Sequence, residues 1–292
     1  MENQKRAYTY ALTAVLFWST VASAFKITLR YLDVLQLLFY SSIVSFAVFF
    51  VVLLIQKKLF LLKTYSRTDY LHSAFLGFLN PFLYYVVLLK AYSMLPAQEA
   101  QALNYTWGIA IALLSIPLLK QKIKFTSILA LIVSFIGVVV IGTRGDLTSL
   151  QFSDPLAVSL AVGSSGLWAL FWIYNTKDKR DEVTKLFLNF TFGFIFILIA
   201  ILIFSSVIVS PIGLLGAAYV GIFEMGITFV IWLKALKFSQ TTARVSNLIY
   251  LSPFLSLVFI YFLVGEQILL STVIGLILII VGIFMQQYSS LK

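Results

Sequence analysis

The stretch Leu215–Ala235, LGAAYVGIFEMGITFVIWLKA, carries one acid, Glu224, in the middle of an apolar run of 21 residues. As an α-helix this run would be about 30 Å long, the thickness of the hydrocarbon core of a bilayer. A carboxylate at that depth costs at least about 2.5 kcal/mol, so an acid retained there indicates a function. Gly221 and Gly226 flank Glu224 and allow another helix or a ligand to approach the backbone closely. The stretch predicts a membrane-spanning helix with a functional acid.

The composition of the whole chain is that of a multispanning membrane protein. Of its 292 residues, 61% are hydrophobic and 11% are charged, and the mean hydropathy is +1.01. These values lie far outside the range of soluble domains. The chain has no cysteine and one histidine, His72, which argues against disulfides, metal centres and histidine-based catalysis. We therefore expect no metal, no other cofactor and no enzymatic activity.

Ten apolar runs are long enough to span a bilayer as helices, and short charged linkers separate them. They cover residues 7–30, 34–55, 70–92, 97–119, 125–143, 154–174, 184–206, 212–236, 241–263 and 268–287. The linkers leave no room for a soluble domain. The sequence thus predicts an all-α integral membrane protein with ten transmembrane helices.

The basic residues are distributed asymmetrically across this predicted topology. Seventeen of the 21 Lys and Arg residues fall on the side of the N-terminus, and the other side has only Lys26, Arg30, Lys90 and Arg144. By the positive-inside rule both termini are then cytoplasmic. Anionic membrane lipid is the expected partner of the net charge of +10, and nucleic acid is not expected to bind.

The two halves of the chain resemble each other. The matched segments, at offsets of 145 or 144, are KQKI at 120–123 with GEQI at 265–268, Gly137 with Gly282, and LKA at 89–91 with LKA at 233–235. Because each half has five predicted spans, an odd number, the second half must be inverted relative to the first. We therefore predict two inverted five-helix repeats, residues 1–145 and 146–292, with a solute site near the midplane where they meet, as in secondary transporters.

Three motifs connect this organisation with a known family. They are FWSTVASAFK at 17–26, PAQEAQALNYTWG at 96–108 and LSPFLSLVFIYFLVGEQI at 251–268. With them the chain resembles the EamA-type ten-helix carriers of the drug/metabolite transporter superfamily. EAQALNYTW at 99–107 and LWALFWIYNT at 167–176 are most similar to bacterial aromatic amino acid exporters.

This resemblance implies a secondary transporter of a small organic solute that works by alternating access. The expected activity is export of amino acids, aromatic or otherwise hydrophobic, or of related metabolites. The expected location is the prokaryotic plasma (inner) membrane, and the expected state is a monomer or weak dimer. The residues leave open other solutes, such as a nucleoside or an amine or drug cation. A phosphorylated sugar or nucleotide sugar is disfavoured because the mid-span positions lack the cations that bind phosphate.

Two polar residues occupy matching depths in the two halves. An offset of 144 pairs Glu224 with Asn80, and Pro81 follows Asn80 in mid-span, where it removes a backbone hydrogen bond. Tyr84 lies one helical turn from Asn80, and Thr228 one turn from Glu224, so each pair is expected to share a helix face. We interpret these residues as a polar stripe that faces a central cavity. The alternative is a set of hydrogen bonds that only hold the helices together.

Glu224 has two possible roles in such a cavity. Desolvation favours the acid form of a carboxyl group, which would make Glu224 a proton-coupling site with protons as a partner. An ionised Glu224 would instead pair with an ammonium group of the substrate. The sequence leaves both open, since no lysine or arginine is expected at the same depth.

Glu99 lies in the first turn of the fourth predicted helix, where the helix dipole favours a negative charge. Arg244 is its counterpart at an offset of 145. This acid and this base are either substrate-guiding groups at the mouths of a cavity or ordinary charges at helix ends.

Aromatic and amide side chains near mid-span complete the candidate substrate site. They are Trp18, Asn104, Tyr105, Trp107, Trp168, Trp172, Asn247 and Tyr250. Trp and Tyr usually lie at membrane interfaces, so their depth indicates either a cavity that stacks flat or cationic solutes or a packed core. All of these except Trp107 join Asn80, Tyr84, Glu99 and Glu224 in the predicted substrate-binding set.

Overall fold

The computed structural model describes residues 2–119, 125–148, 152–207, 210–239, 245 and 247–291. Within these ranges the regular structure is helical, as the hydropathy pattern predicts. The α-helices are α1 (Glu2–Thr28), α2 (Val34–Ile55), α3 (Arg67–Gly77), α4 (Tyr84–Met94), α5 (Ala97–Asn104), α6 (Trp107–Leu119), α7 (Phe125–Gly142), α8 (Pro155–Lys177), α9 (Glu182–Phe204), α10 (Pro211–Tyr219), α11 (Ile227–Phe238), α12 (Ser252–Phe259) and α13 (Leu270–Leu291). Short π-helical turns join α3 to α4 over Phe78–Leu83 and continue α10 over Val220–Glu224.

The predicted spans are largely present as long apolar helices. Seven helical segments of the described chain are long and apolar enough to cross a membrane. They are Asn3–Thr28, Val34–Ile55, Arg67–Met94, Pro155–Lys177, Glu182–Phe204, Pro211–Phe238 and Asn247–Val264. Two predicted runs contain shorter apolar helices, Ile128–Gly142 and Leu270–Met285, and a third, 97–119, contains α5 and α6. The chain is therefore a multispanning helical membrane protein, and the number ten stays a prediction.

The helices form two compact units, and each unit combines two segments that are distant from each other in the sequence. The first unit contains Met1–Val86 and Asp178–Val264. The second contains Val87–Lys177 and Gly265–Lys292. The three unit boundaries lie within α4, directly after α8 and between Val264 and Gly265, so successive segments of the chain belong to different units.

In the first unit, α1 runs antiparallel to the segment formed by α10 and α11. A Cβ on Gly216 would lie 2.1 Å from Thr28 Oγ1, so glycine is required for this approach near the C-terminal end of α1. At the other end the rings of Tyr10 and Phe238 stack with centroids 5.8 Å apart. The whole length of the segment that carries Glu224 is thus packed against α1.

The helices α2 and α9 form a second antiparallel pair in the first unit. Phe39 stacks on Phe194 with centroids 5.8 Å apart, and Phe46 contacts Phe187 at 5.2 Å. Each ring buries a large apolar area and so contributes substantially to the packing of this pair.

The second unit contains a close crossing of α7 and α13 at small residues. A Cβ on Gly137 would lie 2.6 Å from the Gly275 carbonyl oxygen, and a Cβ on Gly282 would lie 2.7 Å from the Ala130 carbonyl oxygen. The offset of 145 converts the first of these contacts into the second, because it relates Gly137 to Gly282 and Ala130 to Gly275. Such reciprocity is the property of a two-fold symmetric contact.

Charged side chains in the first unit form a hydrogen-bonded cluster at the loop that precedes α9. Arg180 binds Asp178 through Nη2 at 2.6 Å and also donates to the Asp69 carbonyl oxygen and to Ser73. Lys185, whose side chain is 1% exposed, donates to the Asp178 carbonyl oxygen at 2.9 Å. These bonds satisfy cations that would otherwise be buried without partners.

We expect this charged cluster to make the fold sensitive to acid. Burial alone would raise the pKa of Asp178, but hydrogen bonds and charge from Arg180 hold that pKa below its ordinary value. A carboxyl group with a lowered pKa in the folded state contributes its full stabilisation above about pH 4, the pKa of an unfolded aspartate. This stabilisation is lost as the pH falls through the lower pKa of the folded state. The melting temperature of the purified protein should therefore decrease when the pH is lowered below 4. Asp178→Asn should weaken this dependence of the melting temperature on pH.

Asp146→Asn, at an exposed loop residue, is the matched control and should retain the acid sensitivity of the wild-type protein. An Asp178→Asn variant with the wild-type pH profile would contradict the assignment.

Candidate functional site

The span that carries Glu224 is broken next to this residue. After the π-helical turn Val220–Glu224, Gly226 has φ −124° and ψ −102°, and α11 begins at Ile227. Breaking a helix releases carbonyl groups, which must find other donors in the absence of water. Ser45 of α2 donates to the Met225 carbonyl oxygen at 2.6 Å, and Thr228 donates to that of Phe223. Thr228 therefore stabilises the break. The helical spacing had instead predicted that Thr228 continues a polar stripe from Glu224.

Glu224 is buried beside the break, with 8% of its surface exposed. The hydroxyl of Tyr85 donates to Glu224 Oε1 at 2.9 Å, and Tyr85 itself is fully buried. Sequence reasoning selected Tyr84, whose ring contacts that of Tyr85 at 4.8 Å. Tyr84 is itself buried, and its assignment to the substrate site stays a prediction, whereas sequence reasoning did not select Tyr85.

Asn80 lies at a second break, in the segment that joins α3 and α4. It has non-helical φ −150° and ψ 121°, and its peptide bond to Pro81 is cis. Its side chain is fully buried. The sequence pairs Asn80 with Glu224 at an offset of 144, and both residues lie where a span loses regular helical geometry.

A further pair of interruptions follows the same spacing. The helical path changes at Tyr105 and Thr106, between α5 and α6, and a 3₁₀ turn over Asn247–Leu251 precedes α12. Tyr105 and Tyr250 are separated by 145 residues, and both are buried. Asn247, by contrast, is exposed.

The first unit places Trp18 against the segment that follows Glu224. Its ring contacts Phe229 with centroids 6.0 Å apart and Trp232 at 5.5 Å. Phe17 contacts Phe223, the residue before Glu224, at 4.7 Å. An aromatic wall thus lies along the broken span on the side of α1.

The second unit gathers four of the other predicted residues around α8. Asn104 Nδ2 donates to Ser164 Oγ at 2.8 Å, and Trp168 lies one helical turn after Ser164. The rings of Trp168 and Trp172 are 5.7 Å apart, and Tyr105 follows Asn104 directly. The predicted residues Asn104, Tyr105, Trp168 and Trp172 therefore belong to one region of this unit.

Glu99 is fully buried and bound by protein groups in the second unit. Arg144 Nε donates to Glu99 Oε1 at 2.7 Å, and Ser153 donates to Oε2 at 3.3 Å. Arg144 has a positive φ of 52°, a conformation uncommon for non-glycine residues. Sequence reasoning did not find this pair, because Arg144 lies in the linker after the fifth predicted helix, 45 residues from Glu99.

Glu266 caps the helix that carries Glu99. Its carboxylate accepts hydrogen bonds from the backbone N–H groups of Ala97 at 2.7 Å and Gln98 at 3.2 Å. The Gln98 amide in turn donates to the Gln267 carbonyl oxygen and accepts from the Leu269 N–H. A negative charge at a helix N-terminus is favourable, so Glu266 anchors α5 to the chain before α13. Arg244, the predicted counterpart of Glu99, lies outside the described residues.

Comparisons with known proteins agree with the membrane fold. The chain is 27% identical over 298 residues to an uncharacterized transporter of Clostridium kluyveri, covering 99% of this chain and 94% of the relative. It is 25% identical over 288 residues to one of Archaeoglobus fulgidus, covering 97% of each chain. A solved crystal structure aligns with a TM-score of 0.67 at 18% identity over 97% of this chain and 96% of its own, which supports the fold.

A family model provides the assignment. The model of the EamA-like transporter family matches residues 5–143 and 155–286, nearly the whole chain. This assignment agrees with the apolar spans and with the resemblance seen in the three motifs. The chain therefore belongs to the EamA-like transporter family.

Proposed function

We propose that this family member is a secondary transporter that moves a small organic solute across the plasma membrane by alternating access. The main support for this proposal is the broken span at Glu224, where the buried acid accepts a hydrogen bond from Tyr85. Secondary transporters typically form their sites from broken spans near the membrane midplane. The second break at Asn80 supports the proposal, since it occupies the matching position of the other half.

The proposal includes ten spans in two inverted repeats, residues 1–145 and 146–292. The offset of 144 to 145 between the helix interruptions supports this arrangement, as does the reciprocal packing of α7 and α13. The separate family matches at 5–143 and 155–286 have the same division. The asymmetric distribution of Lys and Arg supports cytoplasmic termini in a prokaryotic inner membrane.

We assign proton coupling to Glu224. A carboxyl group in a buried site can exchange a proton with one aqueous side at a time if the break opens alternately to the two sides. Tyr85 holds the carboxyl group in one orientation through its hydroxyl. Inward movement of protons through protonation and deprotonation of Glu224 would then drive solute export. The second role, direct pairing of an ionised Glu224 with a substrate ammonium group, predicts transport of cations without a pH gradient.

The proposed substrates are amino acids with aromatic or other hydrophobic side chains, or related metabolites. Trp18 beside the broken span and the Trp168–Trp172 pair in the second unit support this class, because aromatic rings bind flat apolar solutes well. A nucleoside or an amine is the second candidate, favoured by the same aromatic residues.

Transport by the purified full-length protein in liposomes tests the proposal. A pH-sensitive dye inside the vesicles would report proton movement after addition of amino acids, nucleosides or amines, one class at a time. We expect one class to cause proton movement that is lost in protein-free vesicles and saturates with solute concentration. Absence of solute-dependent proton movement and of solute exchange across the whole panel would contradict the proposed function.

A further inference from the structure

Two buried asparagines, Asn80 and Asn189, lie in the first unit without hydrogen bonds to their amides. Both residues are 0% exposed. Within the described part of the chain, neither Oδ1 nor Nδ2 of either side chain has a hydrogen-bond partner. Buried polar groups in proteins are nearly always paired. These four amide atoms in one unit are therefore donors and acceptors that are available to pair with a bound group.

Both asparagines belong to one helix crossing. A Cβ on Gly77 would lie 2.3 Å from the Asn189 carbonyl oxygen, and a Cβ on Gly193 would lie 2.4 Å from Pro81 Cδ. Asn189 and Gly193 are one turn apart and therefore share the face of α9 that meets the broken segment. Asn80 precedes Pro81 in that segment.

The chemistry of the four atoms defines what they can bind. Two carbonyl oxygens are acceptors, and two amide nitrogens are donors with two N–H groups each. A bare cation would satisfy the oxygens and leave both nitrogens unpaired, and an anion would do the reverse. Either ion would also lose its hydration at a site where the two amides provide no opposite charge. A neutral primary amide has two N–H donors and a carbonyl oxygen with two lone pairs, so it can pair with all four atoms.

We propose that Asn80 and Asn189 bind an uncharged amide-type group of the transported solute, such as a primary amide or a ureide. This inference rests on the proposed function, since it assigns the asparagines to the site that contains Glu224. Tyr85, the partner of Glu224, lies five residues after Asn80. Glu224 then couples the proton, and the amides select the solute.

A matched set of three probes tests this selectivity. Benzamide, benzoate and benzylamine share one ring and differ in whether the polar group is neutral, anionic or cationic. Their binding to the purified full-length protein is measured at equilibrium through tryptophan fluorescence at pH 7. We expect benzamide to bind at least about tenfold more tightly than the two ions, because only the neutral amide satisfies donors and acceptors together.

Asn189→Leu should lower the benzamide affinity at least about tenfold and remove most of the preference, since leucine keeps the size but not the hydrogen bonds. Asn80→Leu should have the same effect and serves if the first variant does not fold. Asn175→Leu is the control, because Asn175 is a buried asparagine of α8 in the second unit. It should leave the preference unchanged.

Three results would overturn the inference. One is a wild-type protein that binds none of the probes at millimolar concentration or prefers an ion. Another is an Asn189→Leu variant that folds and keeps the preference. The third is a variant that melts at a higher temperature with unchanged binding, as expected for an unpaired amide without a ligand. Because binding is measured without transport, amide preference without transport would contradict only the proposed function, and transport without amide preference only this inference.

Discussion

Replacing Glu224 by glutamine is expected to reduce solute transport driven by a pH gradient at least about tenfold, a change of about 1.4 kcal/mol in activation free energy or more. Glutamine keeps the size of the side chain and can still accept the hydrogen bond of Tyr85, but it cannot carry a proton. Transport down a solute gradient should persist, because the break and its serine and threonine partners are unchanged. The measurement is solute flux into liposomes with and without a pH gradient.

Two hydroxyl variants separate the role of Glu224 from general effects on its helix. Tyr85→Phe removes the hydrogen bond to Glu224 and should reduce gradient-driven flux less than Glu224→Gln does, since the acid is retained. Tyr219→Phe removes a hydroxyl of α10 that bonds Thr20 at 2.6 Å and should leave the coupling intact. Gradient-driven flux at the wild-type level in Glu224→Gln would refute the coupling role.

The second large effect is expected for Arg144→Met, which leaves the fully buried carboxylate of Glu99 without its cation. Breaking a buried ion pair costs roughly 3–5 kcal/mol. Because the Arg144 side chain is 49% exposed, we expect a smaller loss of unfolding free energy, about 2 kcal/mol. For a chain of this size that loss corresponds to a fall of roughly 3 °C in melting temperature.

A double variant that removes both charges tests the same ion pair, Glu99 and Arg144. Glu99→Gln combined with Arg144→Met removes both charges and should recover most of the lost stability, since no buried charge remains. Lys63→Met, at an exposed lysine, controls for the loss of a positive charge. If Glu99→Gln keeps its melting temperature but loses solute binding, Glu99 belongs to the substrate site, as the sequence predicts.

Some site residues were predictable because their signals are local. Glu224 and Asn80 are recognised by polarity within apolar runs, and the offset of 144 relates them before any coordinates are considered. Both lie at breaks in the structure. The sequence also predicted the first-turn position of Glu99 in its helix.

Other residues carried no such signal. Asn189 lies in an ordinary apolar run, and it becomes a candidate only because its amide is fully buried without a hydrogen-bond partner among the described residues. Tyr85 was missed because its hydrogen bond to Glu224 joins two residues that are distant in the sequence. The roles of Trp18, Trp168 and Trp172 as cavity or packing residues remain predictions, since rings in either role contact other rings.

The sequence by itself determined the membrane class, the positions of most spans, and the acid and the amide that lie 144 residues apart within two apolar runs. These features depend on composition and spacing along the chain, because the bilayer selects for apolar length and penalises each polar residue separately. Only the tertiary structure decided which residues form hydrogen bonds and ion pairs with these polar groups. Tyr85 is 139 residues from Glu224, Arg144 is 45 from Glu99, and Glu266 is 169 from Ala97. Such pairs form only when packed helices bring distant residues together, so no local pattern contains them.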